Sequence, residues 1–428
     1  MTIVLFDGTS QERFNPISLT RALFDVKIGC MTTFERLGFQ KPKLLTKDYL
    51  KDITKLRHVG SPVNEVEHDK VDLYLNSLFL PKDEILDKLI ATNGQFVLVK
   101  GNVVLAARVG KSDSEYITGC IIAGREIDTR KLEASKNRVL DITDLGVMYK
   151  DNWDLISNIS KVLTLQMASI STRSSGHKKS NIQHEFKKRK GLGSLFVHEE
   201  SLVDDSTVFD TVNGGIYIAP GTVISQSTIV GPTFIDKNTQ VKPYSIISSS
   251  YIGKNCRVAG EIDSSIVMDF TNKSHSGYIG HSYVGEWVNL GANTTTSDLK
   301  MTYGPISMTP YHKKVKVNTQ LIKLGSFFGD MVKTSIGTNI YGGLRLGVSS
   351  HLHGFVTDDV PSFVIFGQGL GSENVEMELT SAVRTQKRMM SRRNIELTVE
   401  YQKMIERVFK RTAIDRSDKR IKAKKFRI

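Results

Sequence analysis

The chain has 428 residues, 39% hydrophobic and 24% charged, a balance that places it among globular proteins with packed cores and suggests two or three domains. Three scattered cysteines, Cys30, Cys120 and Cys256, argue against a disulfide framework or a zinc site and point to a reducing, cytoplasmic setting. The formal charge of +13 would suggest a polyanion partner if it were spread over the folded bodies, but sixteen Lys/Arg against five Asp/Glu lie between Arg384 and Ile428, and seven against one between Arg173 and Lys190. The basic charge thus sits in a tail and a linker, so nucleic acid is not an expected partner. No apolar run approaches the ~18–20 residues that would cross a bilayer, and the N-terminus lacks the pattern of a secretory signal.

In chain order, "TIVLFDG" reads as a buried first strand ending in a turn. "PKDEILDKLIAT" carries Ile85, Leu86 and Leu89 at helical spacing after a Pro start, and predicts a helix. "QFVLVKGNVVLAARV" (Gln95–Val109) predicts a β-hairpin turning at Lys-Gly-Asn. Strands alternating with helices give an α/β domain over residues 1–165. The Ser- and Lys-rich stretch that follows predicts a basic linker over 166–204.

Beyond it, short aliphatic-led units recur at or near multiples of six residues. They begin at Ile218, Ile229, Ile235, Val241 and Ile252, then at Ile279, Val284, Leu290, Ile336 and Leu346. One aliphatic side chain per six residues, followed by a small one, suits a triangular parallel β-helix. The aliphatic group points into the core, and Gly or another small residue permits each corner. Each coil buries its faces only against the next, so many repeats are needed. We assign this domain to residues 205–370. Over 371–428, Leu397, Tyr401, Ile405 and Val408 share one helical face with Arg and Lys between them, which predicts an amphipathic helix followed by a basic tail.

Several motifs then appear in order. They are "LFDG…RFNPISLTRALFDVKIG" near the start, "NWDLISN" (Asn152–Asn158), "NKSHSGYIGHSYVGEWVNLGA…TSDLK" from Asn272, "KTSIGT" (Lys333–Thr338), "VPSF" and "RRNIEL" (Arg392–Leu397). This set resembles the bifunctional enzymes of UDP-N-acetylglucosamine synthesis, in particular a divergent branch of sugar nucleotidyltransferases with a shortened N-domain. The resemblance implies an N-terminal nucleotidyltransferase-like α/β domain and a C-terminal left-handed parallel β-helix with acyltransferase character. It also implies a homotrimer with acyl sites between subunits, as packing three β-helices side by side closes a cyclic assembly.

For the N-domain the resemblance implies an NTP, with UTP the expected one, and a sugar-1-phosphate, joined with release of pyrophosphate. Gly8, Arg13 and Pro16 match the nucleotide loop, Arg21 takes the place of the family lysine, and Asn76 stands where the family offers an aspartate. A second loop glycine is missing. Mg²⁺ is expected to bridge the phosphates, with Asp7 and Asn76 as the candidate ligands and Asp72 nearby.

For the β-helix the resemblance implies acetyl-CoA as acyl donor, with His275 as general base and Asn289 and Asp298 in the catalytic set. Arg257, Lys273 and Tyr278 are expected at the sugar phosphate, and Ala292 and Ser335 at acetyl-CoA. His281, at a hexapeptide corner, is expected to be structural, as are Tyr283 and Trp287. His351 and His353 have the spacing of a metal pair, but the family offers no metal there. Two alternatives stay open: an acyltransferase whose N-domain has lost catalysis, and a β-helix scaffold with a polyanion-binding tail.

Overall fold

The computed structural model describes residues 2–8, 11–38, 41–132, 139–140, 145–173, 187–189, 191, 193–311 and 315–426. The first apolar run forms the strand Ile3–Phe6, buried along its whole length. Four successive apolar residues suit a strand covered on both faces. It runs parallel between Lys43–Leu45 and Leu73–Asn76. The six-stranded sheet continues through Val103–Arg108 and Phe96–Lys100, the expected hairpin, to Val139–Leu140. Gly101 at the hairpin turn has φ +61°, a region open to glycine at little cost. The predicted helix is found at Asp83–Ala91.

The expected boundary at residue 165 falls inside a helix, Ile159–Arg173. Leu163 and Gln166 continue its buried face, and the Gln166 amide donates to Ile28 O at 2.7 Å and accepts from Cys30 N at 2.8 Å. The α/β domain therefore extends to Arg173. Residues 174–186 of the predicted linker lie outside the described residues. So do residues 190 and 192, while the strands Lys187–Arg189 and Leu195–Val197 of the same stretch already belong to the first coil.

The β-helix has three parallel faces. The first holds six strands from Lys187–Arg189 to Tyr278–Gly280, and the second holds eight from Leu195–Val197 to Arg345–Leu346. The third runs from Leu202–Val203 to Asn272–Lys273 and on through bridges at Asn289 to Lys333–Thr334. Registers such as Ile229↔Ile247↔Ile262↔Ile279 stack like side chains one coil apart and fill the interior. Nine of the ten aliphatic leads face this core; Ile336 does not and is 78% exposed, because it sits on a corner before Gly337 (φ +64°). Ile340 takes the interior place in that coil.

The second face is aromatic on its outside. Phe196, Tyr217 and Phe234 stack with ring centroids 4.5 Å apart. Phe234, Tyr251, Tyr283 and Phe327 then pack against Phe14, Leu23, Ile159 and Leu163 of the α/β domain. A face that would otherwise expose apolar area is thus buried by the N-domain. At its edge Arg21, 1% exposed, bonds Asp330 at 2.5 Å and Glu286 at 2.7 Å. Thr20 Oγ1 donates to the same Asp330 oxygen at 2.6 Å.

The single amphipathic helix expected after residue 371 is two main helices, Leu379–Ser391 and Val399–Arg411. Tyr401, Ile405 and Val408 of the second share one core cluster with Leu50 and Ile53 of the α/β domain and with Trp287, Met331 and Phe363 of the β-helix, which joins the two. Among the described residues no helix is long and apolar enough to cross a membrane.

Candidate functional site

The predicted residues fall into two regions. The first is the C-terminal edge of the parallel strands, where ligands of open α/β sheets bind. The register sets Asn76 level with Phe6 and Leu45, and Asp7 and Thr46 follow one residue on. Asp7 is 1% exposed and accepts from Leu23 N and from Thr46 Oγ1, both at 2.6 Å. Burial pushes its carboxyl up to about 7, against the lowering effect of those two bonds and of Lys47. Asn76 Nδ2 donates to Val104 O at 2.9 Å and its Oδ1 accepts from Leu78 N at 3.0 Å. Asp72, at the other end of the same strand, pairs with Lys43 at 2.8 Å.

These side chains correct the expectation of a Mg²⁺ site at Asp7 and Asn76. Both Asp7 oxygens are spent on internal donors, burial pushes its carboxyl up toward the neutral form, and the Asn76 amide is bonded at both ends. They do not fit a hard cation that asks for ionised, outward-facing oxygens. Arg21 is likewise corrected: it is an interdomain strut and does not reach the strand edge. A Cβ at Gly8 would lie 2.8 Å from Leu78 Cδ1, a side-chain end that would have to move aside. Arg13 remains one-third exposed, 3.6 Å from Asp151.

The second region is the β-helix, where the structure divides the predicted set. His275 is exposed, on a corner. Ala292 and Ser335 follow on the corners of the next coils, as the bonds Ser276 Oγ–Asn293 Oδ1 (2.5 Å) and Gly337 N–Ala292 O (2.8 Å) show. Asn289 lies on the third face, where Asn272 Nδ2 donates to its Oδ1 at 2.9 Å. Arg257 precedes Asn272 in the same ladder. Lys273 occupies an interior position, and its ammonium donates to the carbonyls of Ala259, His275 and Gly277 at 2.6, 3.1 and 2.9 Å. Burial lowers its pKa to about 8. A lysine holding three carbonyls inside a corner is a structural plug, which corrects its expected role at the sugar phosphate.

Tyr278 and Asp298 converge instead on His281. His281 Nδ1 lies 2.6 Å from Asp298 Oδ2, and Tyr278 Oη donates to the same oxygen at 2.8 Å. Asp263 Oδ2, one coil away, is 4.0 Å from His281 Nδ1, while its Oδ1 accepts from Ser248 at 2.7 Å and Ser264 at 3.1 Å. Burial alone would raise the Asp298 carboxyl, but the bonds from His281 and Tyr278 outweigh it and hold it below the usual range. Burial, then the bond to Asp298, push the Tyr278 phenol well above its ordinary value. Gly280 makes the meeting possible, because a Cβ there would stand 2.1 Å from Tyr278 Oη and 2.5 Å from Asp298 Oδ2. Asp298 opens the predicted protruding loop, which carries the hairpin Ser307–Met308 with Val317–Asn318.

His281, which sequence reasoning read as structural, is thus the histidine that meets Tyr278 and Asp298. Its signal was geometric: six residues past His275, it follows the strand Tyr278–Gly280 instead of preceding it. His351, expected at most as half of a metal pair, is pushed down to about 3 by burial and then by Lys333 and His353. His353 stacks on Phe426 with ring centroids 5.3 Å apart.

Comparison with known proteins gives this geometry a context. Residues 3–174 match the family described as sugar nucleotidyl transferase. The chain is 33% identical over 134 residues to the bifunctional protein GlmU of Methanococcus vannielii, covering 31% of this chain and 25% of that protein. It is 28% identical over 93 residues to a bifunctional sugar-1-phosphate nucleotidylyltransferase/acetyltransferase of Sulfurisphaera tokodaii, covering 22% of this chain and 23% of that one. The matched stretch spans about a quarter of the length of these relatives. Among solved structures, the polysialic acid O-acetyltransferase OatWY is similar over 45% of this chain and 89% of its own, at 11% identity and a TM-score of 0.26.

Proposed function

We propose that this chain, a divergent relative of GlmU whose N-terminal domain belongs to the sugar nucleotidyl transferases, makes a nucleotide-activated amino sugar in the cytoplasm. Its α/β domain joins a sugar-1-phosphate to an NTP, UTP being the expected one, with loss of pyrophosphate. Its β-helix acylates an amino-sugar phosphate from acetyl-CoA. A homotrimer belongs to the same reading.

The observation that carries the acyl-transfer half is the His281–Asp298 bond of 2.6 Å, with Tyr278 on the same carboxylate. With Nδ1–H donated to Asp298, Nε2 is the free ring nitrogen and the basic one. It would take the proton from the sugar amine as the amine nitrogen attacks the thioester carbonyl. The C–S bond then breaks and coenzyme A leaves as thiolate. Asp298 fixes the tautomer and stabilises the imidazolium that forms, and Tyr278 holds Asp298 in place.

One observation favours a second reading, acyl transfer alone. Asp7, Asn76 and Arg21 are all engaged internally, so the strand edge keeps few groups for nucleotidyl transfer. Two assays on the full chain decide. Thiol release from acetyl-CoA with glucosamine-1-phosphate should fall ~10²–10⁴-fold in His281→Gln, the usual worth of a general base, and change little in His275→Gln. Loss in His275→Gln with retention in His281→Gln would return the base to the corner. Pyrophosphate release from UTP and N-acetylglucosamine-1-phosphate separates the two readings of the N-domain.

A further inference from the structure

We propose that Asp263, His281 and Asp298 form a binding site for a divalent transition-metal ion on the first face of the β-helix, and that the ion silences acyl transfer while it is bound. The site stands on its own geometry; the silencing rests on the acyl-transfer reading above. The three residues come from successive stretches of the coil. Asp263 ends the strand Glu261–Asp263, His281 follows the strand Tyr278–Gly280, and Asp298 lies just past Thr295–Thr296. The register sets Asp263 level with Gly280, the residue before His281.

One donor atom from each residue lies within 4.8 Å of the other two, and no other group of three His, Cys, Asp or Glu does so among the described residues. His281 Nδ1 is 2.6 Å from Asp298 Oδ2 and 4.0 Å from Asp263 Oδ2. A tetrahedral ion holding nitrogen and oxygen at about 2.1 Å sets its ligands about 3.4 Å apart. The short pair must open, and the long pair close, by less than about 1 Å, a small side-chain rotation.

The acyl-transfer reading leaves one of these atoms without a task. Asp263 Oδ1 accepts from Ser248 Oγ at 2.7 Å and from Ser264 Oγ at 3.1 Å. Its Oδ2 is thereby turned towards His281, with no donor at hydrogen-bonding distance among the described residues. Ligating carboxylates are held by outer hydrogen bonds of this kind, and Tyr278 supplies the counterpart at Asp298. Two carboxylates around one imidazole also concentrate negative charge that a divalent ion offsets.

The donor set selects the ion. One imidazole with two carboxylates suits Zn²⁺ and its first-row neighbours, whereas Mg²⁺ and Ca²⁺ favour shells of oxygen alone. Three protein ligands leave a fourth position for water. An ion on Nδ1 takes the lone pair of that nitrogen, so the neutral ring carries its hydrogen on Nε2. Nε2 then has no lone pair to accept the proton of the sugar amine.

Calorimetric titration of the full, untagged chain with Zn²⁺, after EDTA treatment, tests the site without reference to turnover. One ion per chain should bind. Ser248→Ala, which removes an outer hydrogen bond, should weaken it about tenfold; Asp263→Asn and His281→Gln, which remove ligands, should weaken it about a hundredfold or more. His353→Gln should leave it unchanged. Urea unfolding checks each fold; if Asp263→Asn does not fold, Ser248→Ala and His281→Gln decide. No binding by the wild type, or binding kept in Asp263→Asn and lost in His353→Gln, overturns the site. Chromatography of the acetylated sugar phosphate judges the silencing. Saturating Zn²⁺ should lower the wild-type rate at least about tenfold, and the same free Zn²⁺ should lower that of Asp263→Asn far less. Equal inhibition in both, or none in the loaded wild type, overturns the silencing. Zn²⁺ binding by a chain that never acetylates would sink the acyl-transfer reading and keep the site; acetylation without Zn²⁺ binding would do the reverse.

Discussion

Two carboxylates, one in each half of the molecule, make a controlled comparison. Asp7 at the strand edge and Asp298 on the β-helix each accept two short hydrogen bonds, and each is at least nine-tenths buried. Their titration moves in opposite directions, up to about 7 for Asp7 and below the normal range for Asp298. The difference lies first in burial, which is deeper at Asp7 and raises it more, and then in the donors. Asp7 is held by a backbone amide and a threonine hydroxyl, which cannot gain charge. Asp298 is held by a phenol and by a histidine that can become a cation. Neutral donors fix a carboxyl in place; a titratable donor makes it part of a proton-transfer pair.

Asp330 is a third case, fully buried and bonded to a permanent cation, Arg21. It predicts the largest effect on stability. Arg21→Met should cost about 3–5 kcal/mol, because Asp330 and Glu286 would be left buried without their main cation. Urea unfolding measures it. A loss below about 1 kcal/mol would mean that the domain junction does not depend on charge pairing, and the sorting of carboxylates by donor would fail at its clearest example.

The next test moves the donors of Asp298 while leaving their identity alone. In Gly280→Ala the added methyl cannot coexist with the Tyr278 hydroxyl at its present position. Acyl transfer should fall roughly tenfold to a hundredfold, as expected when a supporting group misplaces a base by about 1 Å. Tyr278→Phe removes the hydroxyl but leaves the ring Cζ and Asp298 Oδ2 each 2.5 Å from the added methyl, so it relieves the methyl only in part. The double variant should therefore fall below Tyr278→Phe alone but by less than the two single losses combined, which a steady-state comparison of the three variants would show. Full additivity would mean that Gly280 acts elsewhere.

Much of the fold was legible because it rests on local patterns. Nine aliphatic leads face the core since their spacing matches one side of a triangular coil, and Ile336 escapes because corner residues share that spacing. The strand Ile3–Phe6, the hairpin and the helix Asp83–Ala91 follow from short-range chemistry in the same way. The docking of the domains was not legible. Phe234 and Tyr251 look like ordinary outward residues until Phe14 and Leu163 are found in the same core cluster. The site was half legible for the same reason. Tyr278 and Asp298 were named, but the choice between His275 and His281 depends on which corner the loop after Thr296 folds back to meet. Arg21 and Lys273 were misplaced because a cation's partners can lie hundreds of residues away, or among backbone carbonyls that every sequence contains.

The smallest predicted effect is the one that most sharpens the comparison. The folded-state pKa of Asp7, about 7, stands above its ordinary value of 3.8. The unfolded chain therefore loses its proton first as pH rises. Stability from the neutral carboxyl is full below 3.8, declines from there to about 7, and stays lost at higher pH. Asparagine cannot ionise, still accepts from Leu23 N, and can donate to Thr46 Oγ1. Relative to wild type, Asp7→Asn should gain about 1 kcal/mol or more in unfolding free energy between pH 5 and pH 8.5. Other titrating groups, His351 among them, are common to both proteins and cancel in the difference. The opposite trend, wild type gaining on the variant with rising pH, would show Asp7 ionised in the fold. An ionised Asp7 would give the strand edge a charged oxygen for a cation, erase its contrast with Asp298, and restore the metal site that its hydrogen bonds argue against.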